Sequence, residues 1–270
     1  MRRWITTIAL VALASAPMRA DVRVTSSTTV DGAMAAMMGG VMPSMVMHIK
    51  GTKARTDIAI GTQTMSTIVD VETKHVILLN SAEKTAHVLS ADSMPAVPEG
   101  FVMPKIDGSL KVTGQSKLIA GVRCEEHAIT LSLSMAEMAA SPKMPAGVAE
   151  MMKDLRISMD GSLWVAKSGP GVAEYVAFQA ASTKQSMGTM MRALPGMGSG
   201  GLDRLMESFA GAAGLPYLTE MKMSIQGGGE MAAMMKQVGD MKMINRVTDV
   251  STAPVADDLF TVPADYKIVK

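Results

Sequence analysis

The sequence predicts a mainly β protein of the α+β class, a twisted antiparallel sheet with helices packed on it. Three observations predict this. Short apolar runs alternate with polar residues and are separated by polar turns along most of the first half of the chain. A long Ala- and Met-rich stretch, preceded by Gly169-Pro170 and closed by Pro195, has a helical composition instead. The only cysteine is Cys124, so no intramolecular disulfide is available and packing must hold the fold.

Residues 1–20, MRRWITTIALVALASAPMRA, read as a signal peptide, with Arg2 and Arg3 as its basic start and Trp4 to Ala16 as its apolar run. That run is shorter than the ~18 apolar residues that a membrane helix needs, and no later stretch approaches that length. Cleavage is expected after Ala20, which leaves residues 21–270 in the periplasm or outside the cell with no transmembrane segment. No Cys follows the apolar run, which argues against a lipid anchor. Taking the three leader arginines from 26 basic residues leaves 23 against 25 acidic ones, a net of −2. Nucleic acid is not an expected partner, because it requires clustered positive charge. Residues 21–270 are long enough to bury a substantial core and are expected to form one domain.

The strands are expected in order. DVRVTSSTTV (21–30) is the first. Residues 44–59 make two strands with Gly51 near their turn, and 62–71 and 75–79 continue the meander. The polar turn Asn80-Ser81-Ala82-Glu83-Lys84 returns the chain as a strand at 85–89. Residues 92–108, with Pro95, Pro98 and Pro104, read as a long loop or boundary. Strands resume at 109–119 and 121–134, and 156–166 reads as a hairpin about Asp160-Gly161, a favourable tight-turn pair.

A helix-rich segment is expected near 172–240. Val172 to Leu194 follows a helical period roughly, and Leu202, Leu205, Met206 and Phe209 form a clearer stripe over 202–211. A third short helix is expected at 230–238, with Met231, Met234 and Met235 on one side, and weaker ones at 32–38 and 146–153. Glycine-rich patches at 196–201 and 227–229 read as flexible joints. Strand patterns occupy 217–225 and 241–250, and the tail is a docking segment anchored by Leu259, Phe260 and Tyr266.

Motifs of enzyme chemistry are weak. Residues 196–201 fit GxGxxG by letter but lack the preceding strand and parallel βαβ context that a dinucleotide needs. Ser81-Ala82-Glu83-Lys84 matches SxxK without the partner motifs of such a site. In Cys124-Glu125-Glu126-His127 the cysteine and histidine of a strand point to opposite faces, so no zinc site is expected. Cys124 reads as a buried, inert thiol, and His48, His75, His87 and His127 read as titratable surface side chains. No cofactor and no catalytic residue is assigned.

Methionine occupies 29 positions, whereas the aromatics number four Phe, two Trp and three Tyr. Three readings stand side by side. Met is a general apolar filler, since it fits irregular core gaps. It lines an adaptable groove or lid for lipid or another greasy partner. Or its thioethers select Cu(I). For the second reading the candidate wall and lid residues are Met187, Met190, Met191, Leu202, Leu205, Met206, Phe209, Met231, Met234 and Met235. The expected function is noncatalytic binding of an apolar or amphiphilic ligand, with an envelope structural or protein-interaction module as the alternative.

Several phrases carry a family resemblance. They are IVDVETKHVILLNSAEKTAHVL at 68–89, KVTGQSKLIAGVRCEEHAI at 111–129, GSLWVAK at 161–167, GLPYLTEMKM at 214–223 and DDLFTVPADYKIVK at 257–270. The chain resembles a domain-of-unknown-function family of bacterial exported proteins with ties to the LolA/LolB lipoprotein-carrier superfamily. That resemblance implies a strongly curved antiparallel sheet with helices over its concave face, where characterised relatives hold acyl chains. It transfers no functional residue, and Met would take the place of the aromatics expected in a carrier groove.

Overall fold

The structure is a computed structural model that describes residues 21–32, 42–90, 104–142, 144–193, 211–228 and 239–269, with side chains of the 172–193 helix described to residue 186. The leader, the stripe at 202–209, the 230–238 segment, residues 33–38 of the 32–38 segment and the GxGxxG letters lie outside the described residues.

Among the described residues twelve strands form one large, curved, unclosed sheet. The first six are β1 (Val22–Asp31), β2 (Ser44–Lys50), β3 (Lys53–Ile60), β4 (Gln63–Asp70), β5 (His75–Asn80) and β6 (Thr85–Ser90). They are followed by β7 (Lys105–Ile119), β8 (Val122–Ser134), β9 (Arg156–Ala166), β10 (Leu215–Gln226), β11 (Met241–Ser251) and β12 (Lys267–Val269). Among the described residues the helices are α1 (Ala136–Ala139), α2 (Ala146–Met152) and α3 (Val172–Ala193), with a 3-10 turn at Asp257–Phe260. The strand order is β12-β6-β5-β4-β3-β2-β1-β11-β10-β9-β8-β7. All neighbours are antiparallel except β12, which lies parallel to β6. Two consecutive meanders, β1–β6 and β7–β11, therefore meet where β1 pairs with β11.

Local chemistry makes the turns. Asp70 Oδ1 accepts from the N–H groups of Glu72 and Thr73 at 3.0 and 3.2 Å, and Asn80 Oδ1 accepts from Ala82 and Glu83 at the same two distances. Such Asx turns replace a backbone ladder bond at the bend. The β7–β8 hairpin turns on Ala120-Gly121 with φ of 51° and 78°, a left-handed pair that suits Asn-Gly better than Ala-Gly.

The expected strands and the helix from Val172 are found, with two corrections. Residues 156–166 are one continuous strand, not a hairpin. Asp160 and Gly161 pair with Thr130 and Ile129 on one side and with Lys222 and Met221 on the other, so both edges are occupied. A Cβ on Gly161 would lie 1.9 Å from the Glu220 carbonyl oxygen, so this glycine serves a close approach of two strands rather than a turn. The 92–108 loop is also too long as read, because β7 begins at Lys105.

Two cores hold the sheet. The larger joins Val22, Val24, Ile49 and Ala54 of β1–β3 to Val172 and Phe178 of α3, with Tyr175 and Val176 packed alongside. Ile119, Cys124, Trp164, Ala166, Leu215, Tyr217, Leu218 and Val247 complete it. The smaller core gathers Ile68, Leu79 and Ala86 under Val255 and Phe260, with Leu259, Val262 and Tyr266 around them. This is the docking tail anticipated from its anchors. Polar clasps fix it: Lys50 Nζ donates to the Val255 carbonyl at 2.8 Å, Arg55 donates to the Leu259 carbonyl at 3.1 Å, and the Asp21 carboxylate accepts from Val255 N–H at 2.7 Å.

The two glycine-bearing positions give opposite expectations for stability. Gly161→Ala should destabilise the protein by roughly 3 kcal/mol, on the scale of overpacking and strain, read as a fall in thermal midpoint by circular dichroism. Ala120→Asn, beside Gly121, should raise stability by about 0.5–1 kcal/mol in the same measurement, because Asn tolerates the left-handed conformation that costs Ala roughly 1–2 kcal/mol.

Candidate functional site

The candidate site is a sheet face, and the strand register builds it. Residues directly opposite on paired strands share a face, and every second residue along a strand returns to it. One row across β7–β10 is Ile106, Leu133, Ile157 and Ile225. The next is Gly108, Leu131, Met159, Met223 and Met241 on β7–β11. A third is Leu110, Ile129, Gly161, Met221 and Met243. These positions, three on each of β7–β10 and two on β11, are all apolar or glycine. The interleaved positions are largely polar: Lys105, Asp107 and Ser109 on β7, Arg156, Ser158 and Asp160 on β9, Lys222 and Ser224 on β10. Ser109 and Thr130 hydroxyls meet across that polar face at 2.9 Å.

Most side chains of the apolar rows are half-buried; Leu110 and Met241 are buried, and Met243 is exposed. The same face continues across β1 to Met45, Ile58 and Met65, again directly opposite one another. The α3 helix packs against its Val22–Ile49–Ala54 end.

A fourth row borders the apolar ones. It runs Val112, His127, Leu163, Thr219, Asn245 and Thr28, and it brings the first polar side chains to this face. The Asn245 amide donates to Thr28 Oγ1 at 2.9 Å and to Ser26 Oγ at 3.4 Å. His127 is 2% exposed, and its Nε2 has no hydrogen-bond partner among the described residues. Burial lowers its pKa, Lys167 lowers it further, and Glu125 works in the opposite direction. The expectation of a surface histidine fails at this position because residue 127 alternates onto the apolar face with Ile129 and Leu131. His48 is half-buried on the other face between Arg23 and Arg55, and burial lowers its pKa first, with both arginines adding to the effect and Asp57 opposing it.

Of the sequence-predicted site residues, Met187, Met190 and Met191 lie on α3 beyond its described side chains. Leu202, Leu205, Met206, Phe209, Met231, Met234 and Met235 lie outside the described residues. The face described here is carried instead by strand methionines, Met159, Met221, Met223, Met241 and Met243. Their signal was present as the alternation Met-Lys-Met-Ser-Ile at 221–225 and Met-Lys-Met at 241–243. What it lacked was the register that sets the two runs side by side.

The other motifs resolve into structure. Ser81 Oγ donates to the Thr64 carbonyl at 2.7 Å and Lys84 pairs with Asp265 at 2.8 Å, so the SxxK letters brace a turn and the tail. Cys124 is fully buried, and burial raises its pKa, as an inert thiol requires. Among the described residues no group of three His, Cys, Asp or Glu is placed to hold a metal ion, and no described helix is long and apolar enough to cross a membrane.

No protein-family profile and no curated protein matches the chain. Among solved structures, an uncharacterized conserved protein from Thermus thermophilus overlaps with a TM-score of 0.39 and 8% identity, covering 93% of this chain and 91% of its own. The Mycobacterium tuberculosis lipoprotein LppX overlaps with a TM-score of 0.30 and 10% identity, covering 87% of this chain and 88% of its own. At these scores neither overlap assigns a family or a function.

Buried His127 and half-buried His48 predict an acid-side loss of stability. Their folded pKa values lie below the ordinary histidine value of 6.5, so the unfolded chain takes up more protons as pH falls through that value. Stability should be full above about pH 6.5 and decline below it. His127→Leu should flatten the fall in thermal midpoint between about pH 7.5 and 5.5, measured against the parent protein; an unchanged slope would show that His127 does not contribute.

Proposed function

We propose that the protein binds an apolar or amphiphilic ligand, such as a lipid or acyl chain, without catalysis. One observation carries this reading: three consecutive rows of apolar residues and glycine cross β7–β10, two of them reaching β11, without a polar interruption, and most remain half-buried rather than packed away. A soluble surface that keeps a contiguous apolar area of several hundred Å² usually marks a binding site. Burial of a greasy chain there removes apolar area from water at about 25 cal/mol per Å². Methionine suits such a wall because its three rotatable bonds let it adapt to chains of different shape. The sequence resemblance to exported carrier-like proteins points the same way. On the sequence pattern alone, Met187, Met190, Met191, Leu202, Leu205, Met206, Phe209, Met231, Met234 and Met235 remain our proposed wall on the ligand's other side. The working place in this reading is the cell envelope or its exterior.

Two narrower observations favour other occupants. Ile58, Ile60 and Met65 are 41%, 46% and 66% exposed on the β3–β4 hairpin, which would suit an envelope protein partner. Met159, Met223 and Met241 stand side by side in register, which would suit Cu(I) if their thioethers converge.

Native mass spectrometry of gently purified protein, followed by lipid extraction, tests the preferred reading. Co-purified lipid is the expected result. Met221→Lys together with Met223→Glu should lower fluorescent fatty-acid binding by at least about tenfold, since an acyl chain laid on these rows would then desolvate charged side chains. Repeatedly bare protein with no fatty-acid binding would remove the reading. A stable one-to-one protein complex from envelope extract would favour the partner reading. A defined Cu(I) stoichiometry, abolished by Met159→Leu with Met223→Leu, would favour copper.

A further inference from the structure

We propose that His127 anchors the head group at the end of this face, and that the ligand is a long-chain amphiphile with an uncharged, hydrogen-bonding head, such as a monoacylglycerol. This inference rests on the apolar-face reading and narrows it.

The register makes the juxtaposition. His127 follows Ile129, Leu131 and Leu133 at two-residue steps on β8, so it stands at the end of the apolar rows and on their face. Leu163, directly opposite on β9, is half-buried, as is Ile129 one step along. The imidazole is almost wholly buried, yet its Nε2 has no partner among the described residues. Leaving a buried polar atom unsatisfied costs about 1–3 kcal/mol, so such atoms are few and ask for an explanation. A hydroxyl or ester oxygen on the end of an acyl chain lying along the rows would arrive at this atom and satisfy it.

The surroundings select an uncharged head. Burial favours the neutral imidazole, which at Nε2 offers one hydrogen bond and no charge. The charged groups that act on it, Lys167 and Glu125, have opposite signs. Lys167 Nζ is already engaged with the Ala213 carbonyl at 2.8 Å. A carboxylate head would have to shed its hydration at this apolar end of the face against a neutral imidazole, which is costly. An uncharged head loses little and gains one hydrogen bond. A plain hydrocarbon gains none.

The test uses the full chain and three probes of one chain length: a monoacylglycerol, the free fatty acid and the hydrocarbon. Each competes with an environment-sensitive apolar dye. The monoacylglycerol should bind most tightly. His127→Leu should weaken it about tenfold, the equivalent of one hydrogen bond, and leave the hydrocarbon unchanged. His127→Gln, which keeps a hydrogen-bonding group, should recover part of the loss. In the unaltered protein labelled with 15N-histidine, the His127 Nε2 resonance should move with the monoacylglycerol and stay still with the hydrocarbon. That measurement decides the matter if the variants do not fold. An unmoved resonance, or a fatty acid that binds more tightly than the monoacylglycerol, overturns the anchor while hydrocarbon binding preserves the apolar face. Failure of all three probes to compete overturns both.

Discussion

The pairing of β1 with β11 makes one sheet out of two. Each meander is local in sequence, and each closes through short turns. Among the described residues the strand ladder that joins them runs from Arg23↔Ser251 to Asp31↔Lys242. It skips one residue, Thr248, between Thr25↔Asp249 and Ser26↔Val247, a bulge that sharpens the local twist. The Asp21 carboxylate holds the Val255 N–H beside the start of the same strand. Closing so long a stretch of chain carries its entropy before the contacts reward it, so this ladder is an expected slow step of folding.

Once joined, the sheet has different needs on its two faces. The β7–β11 half is apolar on one side and polar on the other along the three rows, and apolar on both at the end where Cys124, Trp164, Ala166 and Leu218 are buried. The β3–β6 half is apolar on both, because Ile68, Leu79 and Ala86 alternate with Val69, Leu78 and Leu89. Separate segments meet these needs. The tail with Val255 and Phe260 covers Ile68, Leu79 and Ala86, and the first turns of α3 cover the Val22–Ile49–Ala54 end of the opposite face. Beyond α3 that opposite face keeps half-buried and exposed apolar side chains. This uneven cover, rather than any reactive group, is what gives the molecule a candidate site.

Methionine content takes its meaning from placement. In a closed core a thioether is a substitute for Leu. On a half-buried strand row it is an adaptable surface, and one that oxidation would convert to a polar one. The same placement changes His127. Along β8 it occupies the position of a core residue, and burial disfavours its charged form. A lone histidine among alternating apolar residues was legible as a pattern, but its burial needed strands β7 and β9 on either side of it.

Most of the elements could be read directly from the residue order. Alternation, Asx turns and glycine positions marked most strands to within a few residues, because strand periodicity and turn chemistry are local. The tail's role was legible from Leu259, Phe260 and Tyr266, large apolar side chains in a short polar segment. Asp160-Gly161 misled because the pair that favours a turn in isolation was overruled by ladders on both sides. It took the assembled fold to establish that the strands make one sheet, that the runs at 157–159, 221–225 and 241–243 lie abreast, and that His127 closes their face. Register is a property of pairs of strands distant in the chain, and no local pattern encodes which partner each strand will meet.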